Sequence, residues 1–302
     1  MNMPNLPLAI VAVLLFSTAV WWARRRSHLL GDRVSTARNA VQACTTLLAL
    51  VAQIQQHRGM STAWLAGDRS FERRLIAKRG EIDPLLAKLQ QVAAEENAHS
   101  YPCFTPNDVS LWRHRWGALL GELAGSSVEK SIAAHSNLIA ILLNWLNVVG
   151  EARVDLPLGA VLPEGTVRNF SHRLPQLSET LGQARATGSG VAALGTCPAV
   201  ARVRLMFLVS RAESLIDQAC AVDRRGQAAE RLVKGLALTT RTHMLSKSHI
   251  GISAEDYFAE ATRAIDAVFG WIEDCGLVLQ AEIDRTADGQ ARGLQLRLQG
   301  GK

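Results

Sequence analysis

From Leu29 onward, apolar residues recur with a helical period, and nowhere do they alternate long enough to make a strand. That pattern constrains the fold most. It requires amphipathic helices packed through one apolar stripe each. Leu47, Val51, Ile54 and Leu65 lie on one such stripe, widened by Leu48 and Leu50. Few aromatic residues (5%) and many Ala and Leu argue against a β-sandwich or barrel. The 48% hydrophobic content is ample for a core. Five cysteines without regular spacing do not form a disulfide framework, and they suit a reducing compartment.

Punctuation divides the pattern into helices. The first runs to about Ala66, stopped by Gly67, and a second covers roughly 70–97. The segment from Asn97 to Pro106 is a loop, with Thr105-Pro106 as an N-cap and first-turn pair. A short helix holds Leu111, Trp112, Trp116, Leu119 and Leu120. Ser126-x-x-Glu129 reads as a capping box for a helix through about Val154. The run Asp155 to Gly165, with two Pro and two Gly, marks a boundary between halves. Further helices are expected near 167–194, 198–222, 224–248 and 254–287, the last capped by Ser253-x-x-Asp256. The expectation is an all-α chain of two antiparallel four-helix bundles sharing long helices. The halves span about 29–154 and 166–290, and residues 291–302 form a tail.

The N-terminus predicts one transmembrane helix ahead of these bundles. Leu6 to Ala23 carries no charge, ends in Trp21-Trp22 and is followed by Arg24-Arg25-Arg26. At 1.5 Å per residue it nearly spans a hydrocarbon core of about 30 Å. Residues 1–38 hold +4 of the net +6, so the charge is chiefly a topology signal. It orients residues 1–28 as an anchor and basic flank in the inner membrane, with the bulk of the chain cytoplasmic. A basic face for nucleic acid would not concentrate its excess in one short segment, so no nucleic-acid partner is expected.

No phosphate loop, HExxH or Cys-x-x-Cys is present, and the eight histidines are scattered. Neither a metal, a cofactor nor catalysis is expected. The anomaly is elsewhere. The stripe through Leu47, Val51 and Ile54 next reaches Arg58, and the stripe through Leu174, Leu177 and Leu181 next reaches Arg185. Small or hydroxylated residues flank each: Gly59, Ser61 and Thr62 in the first case, Gly188, Ser189 and Gly190 in the second. The two arginines are 127 residues apart in similar settings, which suggests a duplication. A buried guanidinium needs acceptors. One reading pairs each with a carboxylate such as Glu122, Glu151, Glu179 or Glu213. The other has both face one cavity and hold a small planar oxyanion through parallel hydrogen bonds, with Ser61, Thr62 or Ser189 completing its shell.

At Gln55-x-x-Arg58-Gly59-x-Ser61, Leu181-Gly182-x-x-Arg185-x-x-Gly188 and Ala254-Glu255-Asp256-Tyr257-Phe258 with Thr262, Ile265 and Asp266, the chain resembles the nitrate- and nitrite-sensing domain family. The resemblance covers roughly residues 40–290. It implies paired four-helix bundles and nitrate or nitrite as ligand, sensed by arginines between helices. Arg58 and Arg185 match the family's arginines, and Arg204 and Arg211 are secondary candidates. Where the family carries Glu before the Arg-Gly pair, this chain has Gln56-His57. No output module fits the short tail after about Asp288, so the signal is expected to pass to a separate signalling protein or through self-association. The alternative is a membrane-tethered helical scaffold without a small-molecule ligand.

Overall fold

A computed structural model describes residues 6–246 and 249–299, with side chains from residue 31 onward apart from those of residues 290, 291 and 293–299. Every regular element among them is a helix. The eight longest are α1 (Leu6–Leu65), α2 (Phe71–Glu96), α3 (Pro106–Glu122), α4 (Val128–Val149), α5 (Leu174–Leu194), α6 (Ala199–Val222), α7 (Gln227–Thr240) and α8 (Ala254–Gln299). Helix α1 packs on α2 and α4, and α3 touches both of those. Helix α5 packs on α6 and α8, and α7 does likewise. The two groups meet where α1 runs along α8 and reaches α5.

Local chemistry sets most boundaries. Gly67 and Gly195, just past the ends of α1 and α5, take φ of 110° and 67°, a left-handed conformation open to residues without a Cβ. Thr105 caps α3, with Asp108 closing a capping box back onto the Thr105 amide at 2.8 Å. Ser253 accepts from the Asp256 amide at 3.0 Å and starts α8. One cap differs from expectation. Ser127, not Ser126, precedes α4 and accepts from the Lys130 amide at 3.2 Å. The three residues Leu123–Gly125 wind into a 3-10 turn, which shifts the start by one residue.

The core is continuous from Val34 to Ile283, built from Leu, Ile, Val, Ala and tryptophans. Cys44 and Cys275 are buried within it, Cys220 is half-buried, and all five cysteines are free thiols. Val128–Leu158 holds an 18-residue stretch apolar enough to cross a membrane, with mean hydropathy 1.5, yet 44% of that stretch is buried in the fold. Leu138, Leu142 and Leu146 are among its core residues. The anchor expected at residues 6–23 has a helical backbone, and its side chains lie outside those described.

The boundary expected at 155–165 is shorter than the sequence suggested. Helix α4 runs on through a π-helical stretch, Gly150–Asp155, to Leu158. The chain turns and re-enters a helix at Thr166, again through π geometry at Asn169–Arg173 before α5. These two wide stretches pack together. They approach so closely that a Cβ on Gly150 would lie 2.2 Å from Ser171 Oγ and 2.4 Å from its Cβ. Gly150→Ala should therefore lower stability by about 1–3 kcal/mol through overpacking. Adding Ser171→Gly should recover much of that loss in urea unfolding.

Candidate functional site

Arg58 lies about two turns before the end of α1, on the stripe that buries Leu47 and Ile54, and it is 1% exposed. Its Nη1 donates to Glu179 Oε1 on α5 at 2.6 Å and to Ser136 Oγ on α4 at 2.8 Å. The ion pair ties two helices 121 residues apart. Glu179 also accepts from Gln55 Nε2 at 3.1 Å and from Gln183 Nε2 at 2.8 Å. The carboxylate therefore gathers one guanidinium and two amides. Of the four acids offered by the sequence, Glu179 is the partner; Glu213 pairs with Arg241 instead.

Arg58 Nη2 has no partner although it is buried. It points toward Gly182, where a Cβ would lie 2.7 Å from it. A planar guanidinium offers five donors, and this one has its Nη2 buried without a protein acceptor.

Arg185 sits one turn beyond Gly182 on the same helix. It has no carboxylate partner among the described residues. Its Nη1 donates to Thr262 Oγ1 on α8 at 2.9 Å, and its Cζ stands 4.8 Å from the centre of the Phe258 ring. Burial and then the Arg58 charge pull its pKa from 12.5 to about 10, against the opposing charges of Asp266 and Glu179. The Arg58 and Glu179 charges both act on Arg185, which sets it in the same electrostatic neighbourhood.

The other expected residues fall into different settings. Gln55 joins the Glu179 network, and Thr62 Oγ1 bonds the Arg58 carbonyl at 2.9 Å. Ser189 Oγ is buried without a partner. Ser61 turns to His57 Nδ1 at 3.2 Å. Gly188 leaves no open room, because the Tyr257 ring fills it: a Cβ there would lie 2.2 Å from Cε1. Arg204 and Arg211 are exposed on α6, and Arg211 bonds Gln176 Oε1 at 3.3 Å.

The residues at the departure from the family pattern do different work. Gln56 Oε1 accepts from Lys78 Nζ on α2 at 2.9 Å. His57 is fully buried against His135 on α4, with Nδ1 to Nε2 at 2.8 Å, and stands edge-on to Trp116 at 4.8 Å. His135 Nδ1 donates to the Ser131 carbonyl at 2.7 Å. Its Nε2 must then accept, so His57 Nδ1 carries the proton and His57 Nε2 is a bare acceptor. That nitrogen is buried without a partner. Neither His135 nor Ser136 stands out in the sequence, since their role depends on a helix about 78 residues away.

Burial, followed by the neighbouring His135, pushes the His57 pKa down from 6.5 to about 3. Burial and the Arg58 charge take His135 to about 4 against its bond to the Ser131 carbonyl. Both rings are neutral at pH 7. Between about pH 6.5 and 4 the unfolded chain binds protons that the folded chain refuses, so stability falls as pH falls through that window. The urea midpoint should drop from pH 7 to pH 5. His135→Gln, which keeps an acceptor for His57 but does not titrate, should flatten the decline.

The nitrate and nitrite sensing family matches residues 49–275. Among solved structures, the NasR transcription antiterminator is similar at 19% identity with a TM-score of 0.69, over 93% of this chain and 77% of that one. At that identity the likeness speaks for the fold. A search of curated proteins found no match.

Proposed function

The chain belongs to the nitrate- and nitrite-sensing family, and from that premise we propose that it holds nitrate or nitrite between helices at Arg58 and Arg185. The observation that carries this reading is the buried, partnerless Nη2 of Arg58. It lies beside Glu179, which pairs with Arg58, and Arg185 feels both of those charges. Such a donor has lost its water without gaining an acceptor, which leaves an interaction for a planar oxyanion to complete. Ser189 Oγ, also buried and unbonded, is a further donor within the same α5 segment. Gln55, Ser61 and Thr62 position Arg58 and its neighbours. Gly188 admits the Tyr257 ring that closes the far side of α5.

The helices in contact fall into two sets of four, which supports two antiparallel bundles with halves near 29–154 and 166–290. Residues 1–28 anchor them to the inner membrane with the bulk of the chain on the cytoplasmic side, a reading supported by the uncharged run and the Arg24–Arg26 flank. Ligand binding biases the packing of α1 against α5, and the change passes to a signalling protein or a second copy. An exposed apolar stripe on α6, with Val200 82%, Val203 68% and Phe207 60% exposed, favours protein contact. The same stripe supports the second reading, a tethered scaffold without a ligand.

Isothermal titration of the full chain with nitrate, nitrite and chloride separates the two. Heat with nitrate or nitrite but not chloride is expected, and no heat with any of them supports the scaffold. Arg185→Ala strands no buried carboxylate, so it should weaken binding by about tenfold or more while the far-UV helical signal and urea midpoint hold. Arg58→Ala leaves Glu179 buried and unpaired, and should lower stability by about 3–5 kcal/mol as well as abolish binding.

A further inference from the structure

The charge around Arg58 can be counted. Arg58 and Arg185 contribute two positive charges and Glu179 one negative charge. The remaining polar groups in contact are neutral: Gln55, Gln183, Ser136 and Thr262. His57 and His135, which flank Arg58, are uncharged at neutral pH. The Asp266 charge acts on Arg185 more strongly than Glu179 does, from an exposed position and without an ion pair among the described residues. Without that exposed carboxylate, the enclosed groups Arg58, Arg185 and Glu179 sum to one positive charge.

We propose that Glu179 sets the charge of the anion this site accepts. By neutralising one of two guanidiniums, it leaves a place for one negative charge and so selects monovalent over divalent oxyanions. The inference rests on reading Arg58 and Arg185 as the anion site. A monovalent ion brings the buried cluster to zero. A divalent ion takes it past zero and adds its own larger desolvation penalty in a place that water does not reach. Glu179 is suited to this because it is held rigidly. Its two oxygens are taken by Arg58, Gln55 and Gln183, so it cannot swing out to water when an anion arrives. Geometry and charge then act separately. The planar forks favour a planar oxyanion over chloride, and Glu179 rejects sulfate.

The test compares ions of one shape and different charge. Perchlorate and sulfate are both tetrahedral, with one and two negative charges. The full chain, Glu179→Gln and Glu179→Asp are each titrated calorimetrically with nitrate, perchlorate and sulfate. The wild-type chain should favour perchlorate over sulfate by about tenfold or more. Glu179→Gln keeps the side-chain shape but removes its charge, and should shrink that preference by about tenfold or reverse it. Glu179→Asp keeps the charge and should keep the preference. An unchanged preference in Glu179→Gln overturns the proposal, and so does wild-type sulfate binding as tight as perchlorate. If Glu179→Gln loses its helical circular dichroism signal, the wild-type and Glu179→Asp ratios decide. No wild-type heat with nitrate is a different failure, because it removes the anion site itself.

Discussion

The buried pair between Arg58 and Glu179 fixes what the neighbouring helices can do. A guanidinium cannot shed its charge, so α1 can bury Arg58 only where another helix brings an acceptor. Helix α5 brings Glu179, and α4 brings Ser136. The three helices are thereby held in one register, with Gly182 giving the guanidinium room against the α5 backbone. Breaking such a pair from one side costs about 3–5 kcal/mol, whereas an apolar pair of the same volume would serve stability equally well. The charge at this place is therefore explained by function better than by folding. The unsatisfied Nη2 points the same way, since it adds a penalty that stability alone would remove.

Much of this was legible along the chain because it is local. The closing glycines at 67 and 195, the Thr105 and Ser253 caps and the apolar stripes all depend on residues within a turn or two. The two arginines showed up as breaks in those stripes. What stayed hidden depends on contacts between distant helices. The sequence offered four acids for Arg58, and nothing local distinguished Glu179 from Glu213, which serves Arg241. His57 looked like a departure from a family pattern, but it is one half of a neutral pair whose other half lies on α4. Gly188 stood out as a small residue flanking Arg185, and its space is filled by Tyr257 from α8. The π-helical stretches at 150–155 and 169–173 have no plain signature, yet they shape the crossing that joins the two groups of helices.

The proposed function makes the same arrangement the link between ligand and signal. Arg58 belongs to α1, a helix of 60 residues that is about 90 Å long. Arg185 belongs to α5 and leans on Thr262 and Phe258 of α8. An anion between them would draw together α1, α5 and α8. A small difference in affinity between two packings is enough to shift their populations. The exposed α6 stripe of Val200, Val203 and Phe207 is the surface that the proposal assigns to the protein reading such a shift.

A crystal structure of the chain grown with nitrate tests the central claim most directly. The account predicts one nitrate with an oxygen within about 3 Å of Arg58 Nη2 and another facing Arg185, with Glu179 still on Arg58 Nη1. Nitrate bound elsewhere, with Nη2 still lacking an acceptor, would contradict it.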